Sequence, residues 1–151
     1  MALPSSGTLS TTDLETEFAG VTPFTKTMDN FRLMVNSATK STDIFFGKSA
    51  PNPLTPTLFS DVQGIPDVIT VRGVMLPNGN NPCRWRLVAP DSISFSSNYQ
   101  VGSWVEYTGT VATTDWVFSW YWGGEKYYRL EVQFGATYTH TKYSTTFTYS
   151  N

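Results

Sequence analysis

The sequence predicts a mainly β protein, an antiparallel β-sandwich or barrel preceded by a small N-terminal region of short helices, and three observations carry that expectation. Aromatic residues make up 15% of the 151 positions and charged residues only 15%, a composition suited to sheets rather than helices. From residue 68 onward apolar and polar residues alternate with period two, the spacing of half-buried strands. Before residue 50 the period is that of short helices, and KSAPNPLTP at 48–56 separates the two regimes. Three prolines in nine residues forbid a helix and favour a stiff, extended connector. The chain therefore divides into a helical region at 1–50, a connector at 51–56 and a β domain at 57–151.

Residues 8–19 read as a short extended lead and a helix. Ser10, Thr11 and Thr12 are candidate N-caps, and Thr12 to Glu15 has capping-box spacing. Leu14 and Phe18 lie four apart on one face, and Gly20 is placed to stop the helix. Residues 26–35 give a second helix with Met28, Phe31 and Met34 or Val35 on one side. The phrase KSTDIFFGKS then repeats the cap and the apolar pair as a single turn that Gly47 ends. Helices this short are unstable alone in water and need a surface to pack on. Leu9, Leu14, Phe18, Phe31, Ile44, Phe45 and Phe46 are the apolar residues expected to dock there.

Downstream, VITVRGVML (68–76) and CRWRLVA (83–89) flank the turn-rich PNGNNP and read as a hairpin. SISFS (92–96) and SWVEYTGTVA (103–112) follow as further strands. WVFSWYW (116–122) and KYYRLEVQF (126–134) flank Gly123-Gly124 as a second hairpin, and TYTHTKYSTTFTY (137–149) closes the sheet. In that second hairpin a three-residue loop places Trp116, Phe118, Trp120 and Trp122 on one face with Tyr128, Leu130, Val132 and Phe134. A two-residue loop mixes them with Arg129 and Glu131. A one-residue slip flips every side chain, so consistent burial favours the odd loop.

Few of these residues suggest chemistry. A net charge of −2 gives no basic footprint for nucleic acid. No stretch reaches the ~18 apolar residues of a membrane span, and MALPSSGTL lacks the basic and apolar parts of a secretory signal. Cys83 is the sole cysteine and reads as a small buried strand residue. His140, the sole histidine, has no Cys, Asp or Glu at ligand spacing. Asp61, Asp67, Asp91, Glu106, Asp115, Glu125 and Glu131 fall mostly at turns, and no two stand out as a catalytic pair. No cofactor is expected. Trp122, beside its turn, is the aromatic residue expected at the surface, where a ring can stack on a sugar. Arg72, Arg84 and Arg86 are expected on the outer face of the first hairpin, as a solvated face or as contacts for a carboxylate-bearing partner.

LPSSGTLSTTDLETEFAG followed by STDIFFGKSA resembles a short module at the N-termini of many tailed-bacteriophage virion proteins. Its pattern is Ser-Ser-Gly, an apolar residue, Ser, a polar residue, Asp-Ile or Asp-Leu, then Glu and Leu/Phe-Gly, with a second copy ending in a phrase such as Ser-Asp-Phe-Tyr-Gly-Lys-Ser. Ser5, Ser6, Gly7, Leu9, Ser10, Asp13, Leu14, Glu17, Phe18 and Gly20 fit the first copy. Ser41, Asp43, Ile44, Phe46, Gly47, Lys48 and Ser49 fit the second. The usual Ile is Leu9 here, and Ile-Phe replaces the simpler Phe-Tyr. The match covers about a third of the chain and says nothing direct about 55–151. It implies a non-enzymatic structural component of a virion, in the tail, baseplate or fibre-attachment region, made in the host cytoplasm and held by its N-terminal segment. Its partners would be other virion proteins and copies of itself. A capsid decoration protein, or a β module recognising host-surface glycan, is the alternative; nucleic acid and membrane are not expected partners.

Overall fold

A computed structural model describes residues 2–22, 25–39, 41–78, 82–90, 98–100, 102–107, 111–120 and 125–150. The first helix, α1, runs Thr11–Phe18 with Ser10 as its N-cap. The Ser10 hydroxyl accepts the Asp13 N–H at 3.2 Å and the Asp13 carboxylate accepts the Ser10 N–H at 2.8 Å. The capping box is therefore Ser10–Asp13 rather than Thr12–Glu15, because Asp at the third helical position reaches back as Glu does. Helix α2, Met28–Met34, is capped by Thr27. It ends on Asn36 at φ 53°, with Asn36 N–H bonded to Leu33 O and Ser37 N–H to Arg32 O, the paired bonds of a Schellman motif. The second phrase forms a 3₁₀ turn, Thr42–Phe45, without a side-chain cap bond from Ser41. Gly47 follows at φ 68°.

The β region is a sandwich of two antiparallel sheets, as the alternation predicts. The smaller sheet is built on β4, Asp67–Leu76. One side of β4 carries β2 (Asn52–Pro53) and β3 (Thr57–Val62), and the other carries β8 (Ala112–Trp120). The larger sheet is built on β9 (Glu125–Phe134) and β5 (Cys83–Pro90). Strands β6 (Asn98–Gln100) and β7 (Val105–Tyr107) follow one another along the free side of β5. Strands β10 (His140–Tyr143) and β11 (Phe147–Ser150) do the same along β9. At the break between them Ser144 bridges to β9, its Oγ accepting the Leu130 N–H at 2.8 Å.

Neither expected hairpin forms. β4 and β5 lie in different sheets, and so do β8 and β9. Alternation reads the same whether two apolar faces sit side by side in one sheet or oppose each other across a core. The face assignment still holds through the opposing arrangement. Trp116 is buried, Phe118 meets Tyr128 with ring centroids 5.4 Å apart, and Tyr128, Leu130, Val132 and Phe134 are fully buried. The side chains of Trp120 and Trp122, and SISFS as a strand, lie outside the described residues.

The N-terminal region is woven into this core. Strand β1, Val21–Thr22, pairs with β10 and extends the larger sheet. Leu14, Phe18, Phe31, Met34 and Phe45 belong to the same buried cluster as Trp85, Leu130 and Val132. Phe18 touches Phe31 at 6.1 Å between centroids, and Phe31 touches Phe45 at 6.4 Å, edge to face. The proline connector is likewise part of the sheet: Pro51, Pro53 and Pro56 are buried and β2 pairs with the end of β4. Proline suits that position because an edge strand spares one N–H.

Candidate functional site

Period-two alternation turns every second residue of β5 and β9 away from the core, and those residues build the most distinctive surface of the molecule. On β5 they are Arg84 and Arg86; on β9 they are Arg129, Glu131 and Gln133. Between β6 and β7 the pairing against β5 slips by two positions, an irregularity of the kind that re-aims side chains. Trp104 follows the slip and lies over β5. The Arg84 guanidinium carbon sits 4.6 Å from the Trp104 ring centroid, and that of Arg86 sits 4.2 Å from it.

On its other side Arg84 meets the ring of Tyr138 at 4.4 Å. Tyr138 lies in the β9–β10 turn at φ 55°, a left-handed conformation that costs a residue with a Cβ roughly 1–2 kcal/mol. The result is an alternating row, Tyr138–Arg84–Trp104–Arg86, across the outer face of the larger sheet. Arg86 Nε bonds Glu131 Oε2 at 2.7 Å, and Glu131 is 5% exposed, so that pair is largely removed from solvent. Arg84 is fixed by a neutral partner: its Nε and Nη2 both donate to Gln133 Oε1, at 3.0 and 2.7 Å. The Arg129 guanidinium lies 3.8 Å from the Tyr143 ring centroid. Burial, followed by the nearby Glu131 charge, raises the Tyr143 pKa, with Arg129 and Arg86 opposing it. Cation–π contacts of this kind contribute about 0.5–2 kcal/mol each, so the row is both rigid and cationic.

The arginines do not form the single group expected of a shared hairpin. Arg72 belongs to the smaller sheet and faces the opposite side of the sandwich. There it grips Asp115 through Nε–Oδ1 at 2.8 Å and Nη2–Oδ2 at 2.9 Å, with Phe59 under its guanidinium at 3.6 Å. Trp122 lies outside the described residues. Of the residues expected to dock on a neighbour, Leu14, Phe18, Phe31 and Phe45 are buried in the chain's own core. Leu9 and Ile44 pack against that core, and Phe46 is half-buried. The short helices thus find the surface they need within this chain, which removes their instability as a reason to invoke a neighbour.

Other titratable groups are spread out. His140 is 2% exposed, beside Phe134 at 5.9 Å between ring centroids, and neither ring nitrogen has a hydrogen-bond partner among the described residues. Burial lowers its pKa. Among the described residues no His, Cys, Asp and Glu group could hold a metal ion. Tyr149 donates to Asp61 Oδ2 near the buried Tyr128, whose pKa is raised by burial first and then by Tyr149 and Asp61. A polar cleft of about 270 Å³ lies where Glu17, Ser49, Asn52, Asn78 and Lys142 converge. Glu17 Oε1 accepts the Ala50 N–H at 3.1 Å and Asn78 Nδ2 donates to Ala50 O at 2.8 Å, so this cleft stitches the N-terminal region to the sheet.

Trp104 and Tyr138 are the residues that sequence reasoning missed. They stand 20 and 54 positions from Arg84, and no local spacing joins them. The one local sign was that Arg84 and Arg86 share a strand face.

No protein-family model matches the chain, and no curated protein matches it. Among solved structures, a β-glucosidase involved in saponin metabolism from intestinal bacteria is similar at TM-score 0.38 and 14% identity, covering 74% of this chain and 18% of that one. The chain thus spans less than a fifth of that protein, and a likeness of this size carries no argument about fold or activity.

Proposed function

We propose that this chain is a non-enzymatic structural component of a tailed-bacteriophage particle, in the tail, baseplate or fibre-attachment region. The observation that supports the reading is the pair of N-terminal phrases, which resemble the virion module and lie against each other. Leu3 N–H bonds Lys48 O at 2.9 Å and Gly47 N–H bonds Pro4 O at 3.0 Å, so the flank of the first phrase and the end of the second close into one unit. In this reading the module is a structural corner of the sandwich, and contact with neighbours falls to the surface. The outer face of the larger sheet suits that task, since Arg, Trp and Tyr are the residues that dominate protein contacts.

Removing residues 1–50 would strip several core side chains and test folding rather than assembly. The informative experiment is gold-labelled antibody against the intact chain, applied to purified particles and viewed by electron microscopy. Labelling at a fixed place on the tail or its base supports the reading; unlabelled particles from cultures that make the chain overturn it.

A further inference from the structure

We propose that Arg84 is the receptor for a side-chain carboxylate of a neighbouring protein, an inference that rests on the structural reading above and names the chemistry of its contact. Gln133 takes up one edge of the Arg84 guanidinium through Nε and Nη2. The remaining fork, Nη1 with the second Nη2 hydrogen, makes no hydrogen bond to any described residue. A guanidinium fork of this kind fits a carboxylate in a bidentate, charge-assisted pair.

Three features distinguish Arg84 from an ordinary surface arginine. Its position is fixed before any partner arrives, by Gln133 and by the rings of Trp104 and Tyr138, so little side-chain entropy remains to be lost on binding. One of those rings is held there by a strained backbone at Tyr138, and strain retained at one place points to a function at that place. Its fixed partner is neutral, whereas Arg86 and Arg72 have their own carboxylates. Glu106 stands opposite Arg84 on β7, and burial followed by the Glu106 charge raises the Tyr138 pKa, with Arg84 opposing.

The occupant is a protein acid rather than an acidic sugar. Trp104 touches two guanidiniums and Tyr138 one, so these rings brace arginines instead of offering bare faces for a sugar to stack on. What the face presents is a cationic hydrogen-bond fork on an open sheet.

The test uses the full chain labelled with ¹⁵N, following the Arg84 Nε–H and Trp104 indole N–H signals while hexaglutamate peptide, hexagalacturonate or inorganic phosphate is added. Hexaglutamate should shift both signals, and Arg84→Gln should weaken its binding by roughly tenfold to a hundredfold. Arg84→Lys, which keeps the charge and is the milder change for folding, should lose most of the affinity as well, because an ammonium has no fork. Unmoved signals, or equal binding by the wild type and both variants, overturn the proposal. Tighter binding of hexagalacturonate or phosphate than of the peptide overturns the protein source of the carboxylate. Failure here with the chain still present in particles leaves the structural reading intact; peptide binding by a chain absent from particles overturns that reading alone.

Discussion

Phe18→Ala asks whether the N-terminal region is part of the sandwich or an arm attached to it. Phe18 has no exposed surface and touches Phe31, which in turn touches Phe45. Truncating a fully buried phenylalanine costs about 3–5 kcal/mol, combining lost transfer energy with the cavity left behind. A domain of this size is stable by about 5–15 kcal/mol, so the loss is a large share of the total. All five tryptophans lie between residues 85 and 122, which makes intrinsic fluorescence a reporter of the β region alone. With a urea slope of about 1–3 kcal/mol per M, the fluorescence midpoint should fall by about 2 M. One shared core predicts this shift even though the change sits more than 60 residues from the nearest tryptophan. An unchanged midpoint would show that residues 1–50 unfold separately, and the account of the fold would be wrong.

Three further outcomes follow from the packing. A Cβ at Gly73 would lie 2.6 Å from Trp116 Cζ3 and 2.9 Å from Leu130 Cδ2 and Trp85 Cζ3, so Gly73→Ala should destabilise by about 1–3 kcal/mol through overpacking; calorimetry showing an unchanged or raised melting temperature contradicts this. His140 is buried with its pKa lowered, so the unfolded chain binds the proton more readily. Stability should then fall as pH drops below about 6.5, by at most about 1.4 kcal/mol per unit from this group. His140→Phe should flatten that part of the urea-midpoint profile, and an equally steep profile in the variant refutes the assignment. Burial pushes the Cys83 thiol up to about 12, so a thiol reagent at pH 8 should label it only as fast as the chain opens; immediate labelling of the native protein excludes the buried position.

Much of the fold was legible because its signals are local. Ser10, one of three candidate caps, and Gly47 mark a helix start and a turn end, and alternation along β4, β5 and β9 assigns their faces correctly. Partner strands were less legible. The apolar faces of β8 and β9 must meet, but a hairpin and a crossover between sheets satisfy that equally, and only the packed fold separates them. The prolines at 51–56 indicated an extended, non-helical segment, which is also compatible with a short edge strand, and β2 at Asn52–Pro53 is one. The candidate surface was half visible. Arg84 and Arg86 share a face by simple alternation, whereas Trp104 arrives through a slip in pairing and Tyr138 through a strained turn. Neither irregularity has a period to reveal it.

Quantitative mass spectrometry of purified, salt-washed infectious particles tests most directly the proposal that this chain is built into a bacteriophage particle. The account predicts the intact chain at a fixed copy number matching a ring or fibre symmetry of the tail. Its absence from those particles, with abundant free chain in the same lysate, would contradict the account.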